Sequence, residues 1–255
     1  MREVVVVGSG VAGLSSALAA AQEGAKVTVI ERAARVGGST ALSGGVAWLP
    51  GNHLGNRTDS PDKANRYLGR LAIGDIDPAL SSIFTADAPS VASWIEATTP
   101  LEWEVVHFPD YHFGFEGAMF DGRSLGPRPL ELEADVSSMV RRAFRPPFTR
   151  QEILTGWIDD ETAAVRSRQG TLLAGRALVG ALLGACIQSG VDVQVGRRVS
   201  RLLKDQSTGR VLGVEVEGVD MPGAVILATG GFERNDSLSR AFLRGPVVAP
   251  VGVPT

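Results

Sequence analysis

Three glycines and one acidic residue near the start of the chain have the types and spacing of a dinucleotide-binding turn. Gly8, Gly10 and Gly13 follow the apolar run Glu3 to Val7, and Glu31 comes eighteen residues after Gly13. Gly8 permits a tight turn, Gly10 lets the backbone approach a pyrophosphate, and Gly13 allows a helix to pack closely on a strand. A helix that begins here directs free amides and its positive dipole end at the phosphates. The pattern therefore predicts a dinucleotide site that needs no lysine.

A second glycine pair indicates which dinucleotide binds. Glu31 is placed to accept hydrogen bonds from the adenosine ribose hydroxyls, and its charge disfavours the additional phosphate of NADP. Gly37 and Gly38, followed by Ser39 and Thr40, add backbone amides near the same pyrophosphate, which nicotinamide enzymes do not need. The segment therefore favours FAD over NAD. The residues predicted to bind the cofactor here are Gly8, Gly10, Val11, Ala12, Gly13, Glu31, Arg32, Gly37, Gly38, Ser39 and Thr40.

The elements around these glycines form a strand, a helix and a second strand within about 30 residues. A glycine turn alone would be weak evidence, because the chain contains 31 glycines. A dinucleotide-binding turn is a better interpretation than an ordinary glycine turn, because a strand precedes the turn, a helix follows it and the acid lies at the right distance. Both strands are apolar on successive residues, which is typical of parallel strands covered on both faces.

Helical patterns follow a glycine- and proline-rich stretch. Ser60 and Pro61 supply an N-cap and a proline at the first helical position, and they predict a helix to about Leu71. A second helix should face the core with apolar residues that recur every three or four positions, namely Leu80, Phe84, Ala88, Val91 and Ile95. Pro89 should kink or split it. Residues 100–150 read as a loop-rich excursion, and their basic stretch, 141–150, as solvated surface.

The last third of the chain alternates between helix and strand signals. We predict a helix over about 173–189, a strand over 191–195, a hairpin formed by 199–204 and 211–217, and an apolar strand over 224–227. The final strand ends in Ala228, Thr229 and Gly230.

Composition excludes several classes of protein. With 44% hydrophobic residues, 21% charged residues and a formal net charge of -3, the chain is neither disordered nor basic enough to predict a nucleic-acid partner. The lone Cys186 excludes an intramolecular disulfide and a redox-active cysteine pair, so redox chemistry must come from a cofactor. His53, His107 and His112 have no ligand at metal-binding spacing, and no metal is expected.

The chain carries no recognisable targeting or spanning segment. A strand pattern begins at Glu3 and leaves no room for a signal peptide. No apolar run reaches the ~18 residues of a spanning helix. We therefore expect a cytoplasmic protein without stable membrane insertion.

Two loop motifs carry a family resemblance. The pattern V-I-E-R, four residues, G-G-S-T, followed by S-G-G-V-A-W-L-P, resembles the succinate dehydrogenase and fumarate reductase flavoprotein superfamily. The resemblance implies that Ser39, Thr40, Ser43, Gly44 and Gly45 line the flavin. It also implies that the strand at Val199 meets the adenine and that Ala228, Thr229 and Gly230 contact the cofactor, although a simple strand-ending turn is an alternative for the latter three.

The resemblance also concerns how the flavin is attached and whether the 175–182 stretch takes part. In membrane-bound members a histidine carries covalent flavin, and its place here falls on Gly38, which implies noncovalent FAD. The stretch 175–182 is also similar to the family, but plain helix packing explains Arg176 and its leucines equally well.

The segment 108–133, F-P-D-Y-H-F-G-F-E-G-A-M-F-D-G-R-S-L-G-P-R-P-L-E-L-E, looks like 3-ketosteroid Δ1-dehydrogenases. That resemblance implies removal of a proton beside a ketone and transfer of a hydride from the neighbouring carbon to FAD. The expected partners are a small hydrophobic ketone such as a 3-ketosteroid and an external electron acceptor. Tyr111, in the P-D-Y position, would support the catalytic base, the alternative being a loop tyrosine bonded to backbone. Tyr67 lies in a helical pattern and should pack in the core.

These patterns together indicate an α/β protein. A Rossmann-like FAD/NAD(P)-binding domain is predicted over residues 1–245, with a helical and loop-rich insertion over about 50–170. Residues 246–255 would be a linker toward a substrate domain that the family resemblance implies and this chain lacks. The chain would then be a fragment, a truncated gene product or one part of a split enzyme whose second chain supplies the missing half. A fumarate-reductase-like ene reductase and a non-catalytic FAD-binding module are the alternatives.

Overall fold

The computed structural model describes residues 2–72, 76–143, 146–157, 159–233, 235–243 and 245. The predicted linker over 246–255 lies outside them. The strands within the described residues are β1 Glu3–Val7, β2 Lys26–Glu31, β3 Ala47–Trp48, β4 Trp103–Val105, β5 Ser124–Pro127, β6 Asp192–Val195, β7 Val199–Lys204, β8 Val211–Val216, β9 Val219–Pro222 and β10 Ala224–Leu227. The α-helices are α1 Val11–Gln22, α2 Pro61–Leu71, α3 Pro78–Thr98, α4 Ala134–Met139, α5 Arg150–Thr155, α6 Asp160–Gln169, α7 Gly175–Gln188 and α8 Asp236–Phe242.

The chain divides into two compact units. The first comprises Met1–Leu42, Ala134–Ala143 and Leu182–Thr255, and the second comprises Ser43–Glu133 and Phe144–Ala181. None of the described helices is both long enough and apolar enough to cross a membrane.

The first unit is built on a four-stranded parallel sheet in the order β10-β1-β2-β6. Strand β1 contains a run of four valines, and its neighbour β2 is nearly as apolar. This composition is typical of strands in a parallel sheet, because both faces of such a sheet are buried. Helix α1 presents Leu14, Ala17 and Leu18 to the core. The predicted βαβ unit and the α/β fold class are thereby confirmed.

A three-stranded antiparallel sheet, β7-β8-β9, covers part of this core. Val214 and Val216 of β8 are fully buried against Val5, Val7 and Ile30. The hairpin between β7 and β8 was predicted, whereas β9 was not. The turn between β8 and β9 has positive φ at both central residues, 52° and 82°, as a two-residue type I′ hairpin turn requires.

The second unit contains the antiparallel sheet β3-β5-β4 and the helix pair α2 and α3. Helix α2 begins as predicted, because the Ser60 side chain accepts a hydrogen bond from the Lys63 amide.

The predicted core stripe of α3 is wrong at three positions, since Leu80, Phe84 and Val91 are 65%, 45% and 41% exposed. Ala88 and Ile95 are buried as predicted, and the helix also buries Ser81, Thr85 and Ala92. The small Ser81 side chain faces α2, where its hydroxyl donates to Asn65 at 2.6 Å. Helix α3 also runs through Pro89 without splitting.

Candidate functional site

The first unit contains a cavity of about 870 Å³ at the carboxyl ends of β1, β2 and β10. A crevice at this edge of a parallel sheet is where open α/β folds bind ligands. Many of the residues predicted to bind the cofactor line it: Gly8, Gly10, Val11, Ala12, Glu31, Arg32, Gly38, Ser39, Thr40, Val199, Ala228, Thr229 and Gly230. Gly13 and Gly37 are neighbours in sequence of residues that line the cavity, but they do not line it themselves. Ser43, Gly44 and Gly45 do not line it either and belong to the second unit.

Two of the glycines in the first turn lack a side chain because the backbone approaches them closely, and the third leaves open space beside it. Gly8 has a φ of +105°, and a Cβ there would overlap the carbonyl oxygen of Ala228. A Cβ on Gly13 would overlap the carbonyl oxygen of Gly8, so this glycine lets α1 pack on the strand. A Cβ on Gly10 would contact only the Thr40 hydroxyl, at 3.6 Å, and would otherwise project into open space. The space beside Gly10 is thus available to a ligand.

The N-terminus of α1 offers hydrogen-bond donors to that space. Gly10 occupies the N-cap position without any side-chain cap. The amide of Val11 donates to the Thr40 hydroxyl at 3.1 Å. The amides of Ala12 and Gly13 make no hydrogen bond to any residue that the structure describes. Free amides in the first turn of a twelve-residue helix are a suitable anion site.

Glu31 is held in a fixed orientation beside the glycine turn. Its Oε2 accepts hydrogen bonds from the Ser9 amide at 3.1 Å and from the Ser9 hydroxyl at 2.6 Å, and its Oε1 accepts from the Ala33 amide at 2.8 Å. The Ser9 oxygen also accepts a hydrogen bond from the Gly37 amide at 3.1 Å. Ser9 therefore ties the first glycine turn, the acid and the second glycine pair together, a role that the sequence analysis missed.

The second glycine pair lies against the first turn. Gly37 and Gly38 have φ values of +117° and +48°. A Cβ on Gly38 would lie 3.8 Å from the Gly10 Cα. The two segments therefore meet at the same part of the cavity wall.

Arg141 also lines this cavity, contrary to the expectation that residues 141–150 form only solvated surface. The Val36 amide donates to the Met139 carbonyl, and the Arg141 amide donates to the Val36 carbonyl, both at 2.9 Å. This parallel bridge brings a distant segment to the second glycine pair.

A second cavity, of about 310 Å³, lies in the second unit and has aromatic walls. Trp48, Tyr67, Phe108 and Tyr111 line it, together with Arg150. Tyr111 is 86% exposed, and its ring meets Phe108 edge to face with 5.8 Å between centroids. Tyr67 is buried, as predicted, and its hydroxyl accepts a hydrogen bond from the His112 amide at 3.2 Å.

A buried charge network adjoins this aromatic cavity. Arg123 donates to the Asp59 carboxylate at 2.6 and 3.0 Å and to Asp110 at 2.7 Å. Asp110 also accepts hydrogen bonds from the Trp48 indole at 2.7 Å and from the Met119 amide at 2.9 Å. Burial alone would raise the pKa of Asp59, but hydrogen bonds from Arg123 and the Gly51 amide outweigh it and hold that pKa below its usual value. The network fixes the loop that immediately precedes Tyr111.

The family model described as "FAD binding domain" matches residues 3–253 of this chain. The chain belongs to the FAD-binding domain family. It is 34% identical to the 4-oxocyclohexanecarboxylate 2-dehydrogenase of Sinomonas cyclohexanicum, over 99% of this chain and 47% of that protein. It is 30% identical to the 3-oxosteroid 1-dehydrogenase of Mycolicibacterium smegmatis, over 96% and 49%. The chain thus spans about half the length of these relatives.

Solved structures agree with this assignment of the fold. A crystal structure of 3-ketosteroid Δ1-dehydrogenase from Sterolibacterium denitrificans, in complex with 1,4-androstadiene-3,17-dione, superimposes with a TM-score of 0.85 at 24% identity. The match covers 96% of this chain and 51% of that one. The predicted FAD-binding fold is confirmed, and FAD is the cofactor of the family.

The cavity of this FAD-binding domain fits such a cofactor. Two free amides and the space beside Gly10 suit a diphosphate, and a fixed carboxylate suits ribose hydroxyls. Val199 lies at the cavity wall, where the family resemblance implies contact with the adenine.

The loop Ser43–Gly45 is held within the second unit. Gly45 has a φ of +71°, and a Cβ there would overlap the backbone of Ala174 and Gly175. The Gly175 amide donates to the Ser43 carbonyl at 3.3 Å, and the Gly45 amide donates to the Ser43 hydroxyl at 3.0 Å. The loop therefore packs against the start of α7. Its contact with a flavin remains a prediction.

Proposed function

We propose that this chain is the FAD-binding part of a dehydrogenase that introduces a double bond beside the ketone of a cyclic substrate such as a 3-ketosteroid. The single observation that carries the proposal is the cavity in which both glycine segments, the fixed Glu31 and the end of β10 meet. Residues 1–245 would form the first segment of the FAD-binding domain, with an insertion over about 50–170. Residues 246–255 would lead to a substrate domain.

Different residues of the cavity would bind different parts of the cofactor. FAD supplies the group that accepts a hydride. The amides of Ala12 and Gly13 would donate to its diphosphate, and Gly10 would leave room for close approach. Glu31 would accept from the ribose hydroxyls, since the bonds from Ser9 and Ala33 keep its carboxylate oriented and leave it able to accept more.

The FAD would be bound noncovalently. The family resemblance implies that the position of the flavin-linking histidine falls on Gly38, and none of the described residues that line the cavity is a histidine, cysteine or tyrosine. Acid precipitation of the yellow protein should therefore leave the flavin in the supernatant. Flavin that stays with the precipitate would contradict noncovalent binding.

The aromatic cavity would hold the rings of the substrate. Trp48 and Phe108 offer apolar surface, and the exposed Tyr111 places a phenolic hydroxyl at the same cavity. Tyr111 would act beside a general base that removes the proton next to the ketone, so its phenol needs to reach the substrate or the base. The electrons would leave through an external acceptor.

The test is to purify the chain, record its flavin absorbance and follow reduction of a dye with androstenedione. A yellow protein that reduces the dye supports the dehydrogenase. A yellow protein that does not reduce it identifies a FAD-binding module that needs the other half, and reoxidation of a viologen by fumarate would favour an ene reductase. If the chain is active, Tyr111→Phe should lower kcat at least tenfold, and unchanged turnover would remove Tyr111 from the mechanism.

One observation favours a second substrate. Arg150 lines the aromatic cavity and makes no ion pair with the described residues. A guanidinium can bind a carboxylate through two parallel hydrogen bonds, and one relative is named for a carboxylated cyclic ketone. A higher kcat/KM with 4-oxocyclohexanecarboxylate than with androstenedione, lost in Arg150→Gln, would establish this alternative.

A further inference from the structure

We propose that Arg141 binds the diphosphate of FAD directly through its guanidinium. The proposal rests on the proposed function, because it requires FAD to occupy the cavity of the first unit. Sequence patterns place the diphosphate of the cofactor on glycines and on helix amides, which carry no net charge. Arg141 would add a full positive charge from a segment more than a hundred residues away from the glycine turn.

The backbone holds Arg141 in a defined place. The residues that form the parallel bridge, Val36 and Val140, are both fully buried. Hydrogen bonds of 2.9 Å on either side of Val36 join the two segments. Because Gly37 and Gly38 directly follow Val36, the bridge fixes Arg141 beside the second glycine pair and at the wall of the cavity.

The guanidinium of Arg141 has no competing partner among the residues that the structure describes. It forms no hydrogen bond or ion pair with any residue in the described part of the chain. Of the two carboxylates that line the same cavity, Glu31 is occupied by Ser9 and Ala33, and Glu233 makes no ion pair with Arg141. A half-buried arginine that pairs with none of the described residues, at the wall of a cavity that offers backbone amides, is suited to an anion.

Charge matching supports the diphosphate as its ligand. The diphosphate of FAD carries two negative charges, whereas a helix N-terminus contributes the equivalent of about half a positive charge. An arginine fork can donate to two phosphate oxygens at once. The neighbouring Arg142 is exposed and does not line the cavity, so it provides a matched control on the same segment.

The experiment measures equilibrium binding to the chain freed of flavin. FAD is titrated by quenching of its fluorescence, and ADP and adenosine are titrated by calorimetry. Arg141→Gln should raise the Kd for FAD and for ADP about ten- to a hundredfold and leave the Kd for adenosine, which has no phosphate, within about twofold. Arg142→Gln should change none of the three by more than about twofold. The Kd of Arg141→Lys for FAD and for ADP should lie between those of the wild type and of Arg141→Gln. Added salt should weaken ADP binding less in Arg141→Gln than in the wild type.

Each other outcome overturns the proposal. If Arg141→Gln loses affinity equally for ADP and for adenosine, Arg141 only maintains the shape of the cavity. If Arg141→Gln and Arg142→Gln lose affinity for FAD equally, the effect of charge is nonspecific. Unchanged affinity in Arg141→Gln would overturn the role of Arg141 while leaving the proposed function intact, whereas a wild-type chain that does not bind FAD would overturn both. If Arg141→Gln does not fold, Arg141→Lys decides the question, because wild-type affinity for ADP in that variant would remove the requirement for the arginine fork.

Discussion

Replacing Arg123 with methionine should destabilise the second unit more than any substitution at the surface. Methionine is similar in length but has no charge, so Asp59 and Asp110 would keep their places without a cation. Both carboxylates and the guanidinium are at most 3% exposed. The substitution removes three charge-assisted hydrogen bonds of 2.6 to 3.0 Å.

The expected loss follows from this burial. Removing one partner of a buried ion pair costs about 3–5 kcal/mol, because the remaining charge is neither solvated nor paired. For a protein of this size such a loss lowers the thermal midpoint by roughly 6 to 20 °C. In the wild type the lowered pKa of Asp59 contributes stability above the usual pKa of an aspartate, and this contribution is lost as the pH falls through the lowered value. In the variant the Arg123 hydrogen bonds that lower the pKa of Asp59 are gone and burial would raise that pKa, so that protonation at low pH relieves the unpaired charge.

The assay is urea unfolding of the two proteins at neutral and at mildly acidic pH, followed by circular dichroism. The difference in the free energy of unfolding should be largest at neutral pH and should shrink on acidification. Arg70→Met is the control, since Arg70 pairs with Glu116 at 3.2 Å where both side chains are more than half exposed, and it should cost at most about 1 kcal/mol. Adding Asp59→Asn and Asp110→Asn to Arg123→Met should recover part of the loss. A cost for Arg123→Met no larger than that of the control, or a difference independent of pH, would refute this reasoning.

Three further predictions concern other parts of the chain. Gly13→Ala should lower the thermal midpoint of the flavin-free protein by more than about 5 °C because of its overlap with Gly8, whereas Gly10→Ala should shift it by about 3 °C or less and mainly weaken FAD binding. Cys186 is buried, which raises its pKa to about 12, so Ellman's reagent should react with it only after denaturation, and rapid reaction of the native protein would contradict its burial. Glu152 forms a two-bond ion pair with Arg166 at 2.7 and 2.8 Å; burial alone would raise its pKa, but this pair holds that pKa below the usual value of a glutamate. Glu152→Gln should therefore cost about 1–3 kcal/mol at neutral pH in urea unfolding, and a cost that does not shrink as the pH falls below that value would argue against the pair.

The parts of the fold that could be predicted have local signals. The strand, glycine turn and helix at the start of the chain follow one another within a few residues, and the Ser60 cap lies next to the helix that it begins. Helix α3 shows the limit of such signals. Its large apolar residues Leu80, Phe84 and Val91 recur at helical spacing, yet the face that contains Ser81 and Thr85 is buried, and Ser81 there bonds to Asn65 of α2.

The parts of the site that could not be predicted depend on contacts between distant residues. Arg123 meets Asp59 across 64 positions, and no pattern along the chain pairs them. Arg141 lies in a basic stretch that resembles solvated surface until the bridge to Val36 places it at the cavity. The sequence offered only a weak indication of the role of Ser9. It is a polar residue between two glycines, and because it is buried it needs hydrogen-bond partners.

The pairing of β1 with β10 has a consequence for how the chain is made. Val7 pairs with Leu227, so one side of β1 has no partner until about 220 further residues have been synthesised. At typical rates of translation this interval lasts roughly 10 to 40 s. During it the nascent chain exposes a hydrophobic strand edge of the kind that promotes aggregation. Because the end of β10 also forms a wall of the cavity, the nascent chain cannot bind its cofactor fully before that strand arrives.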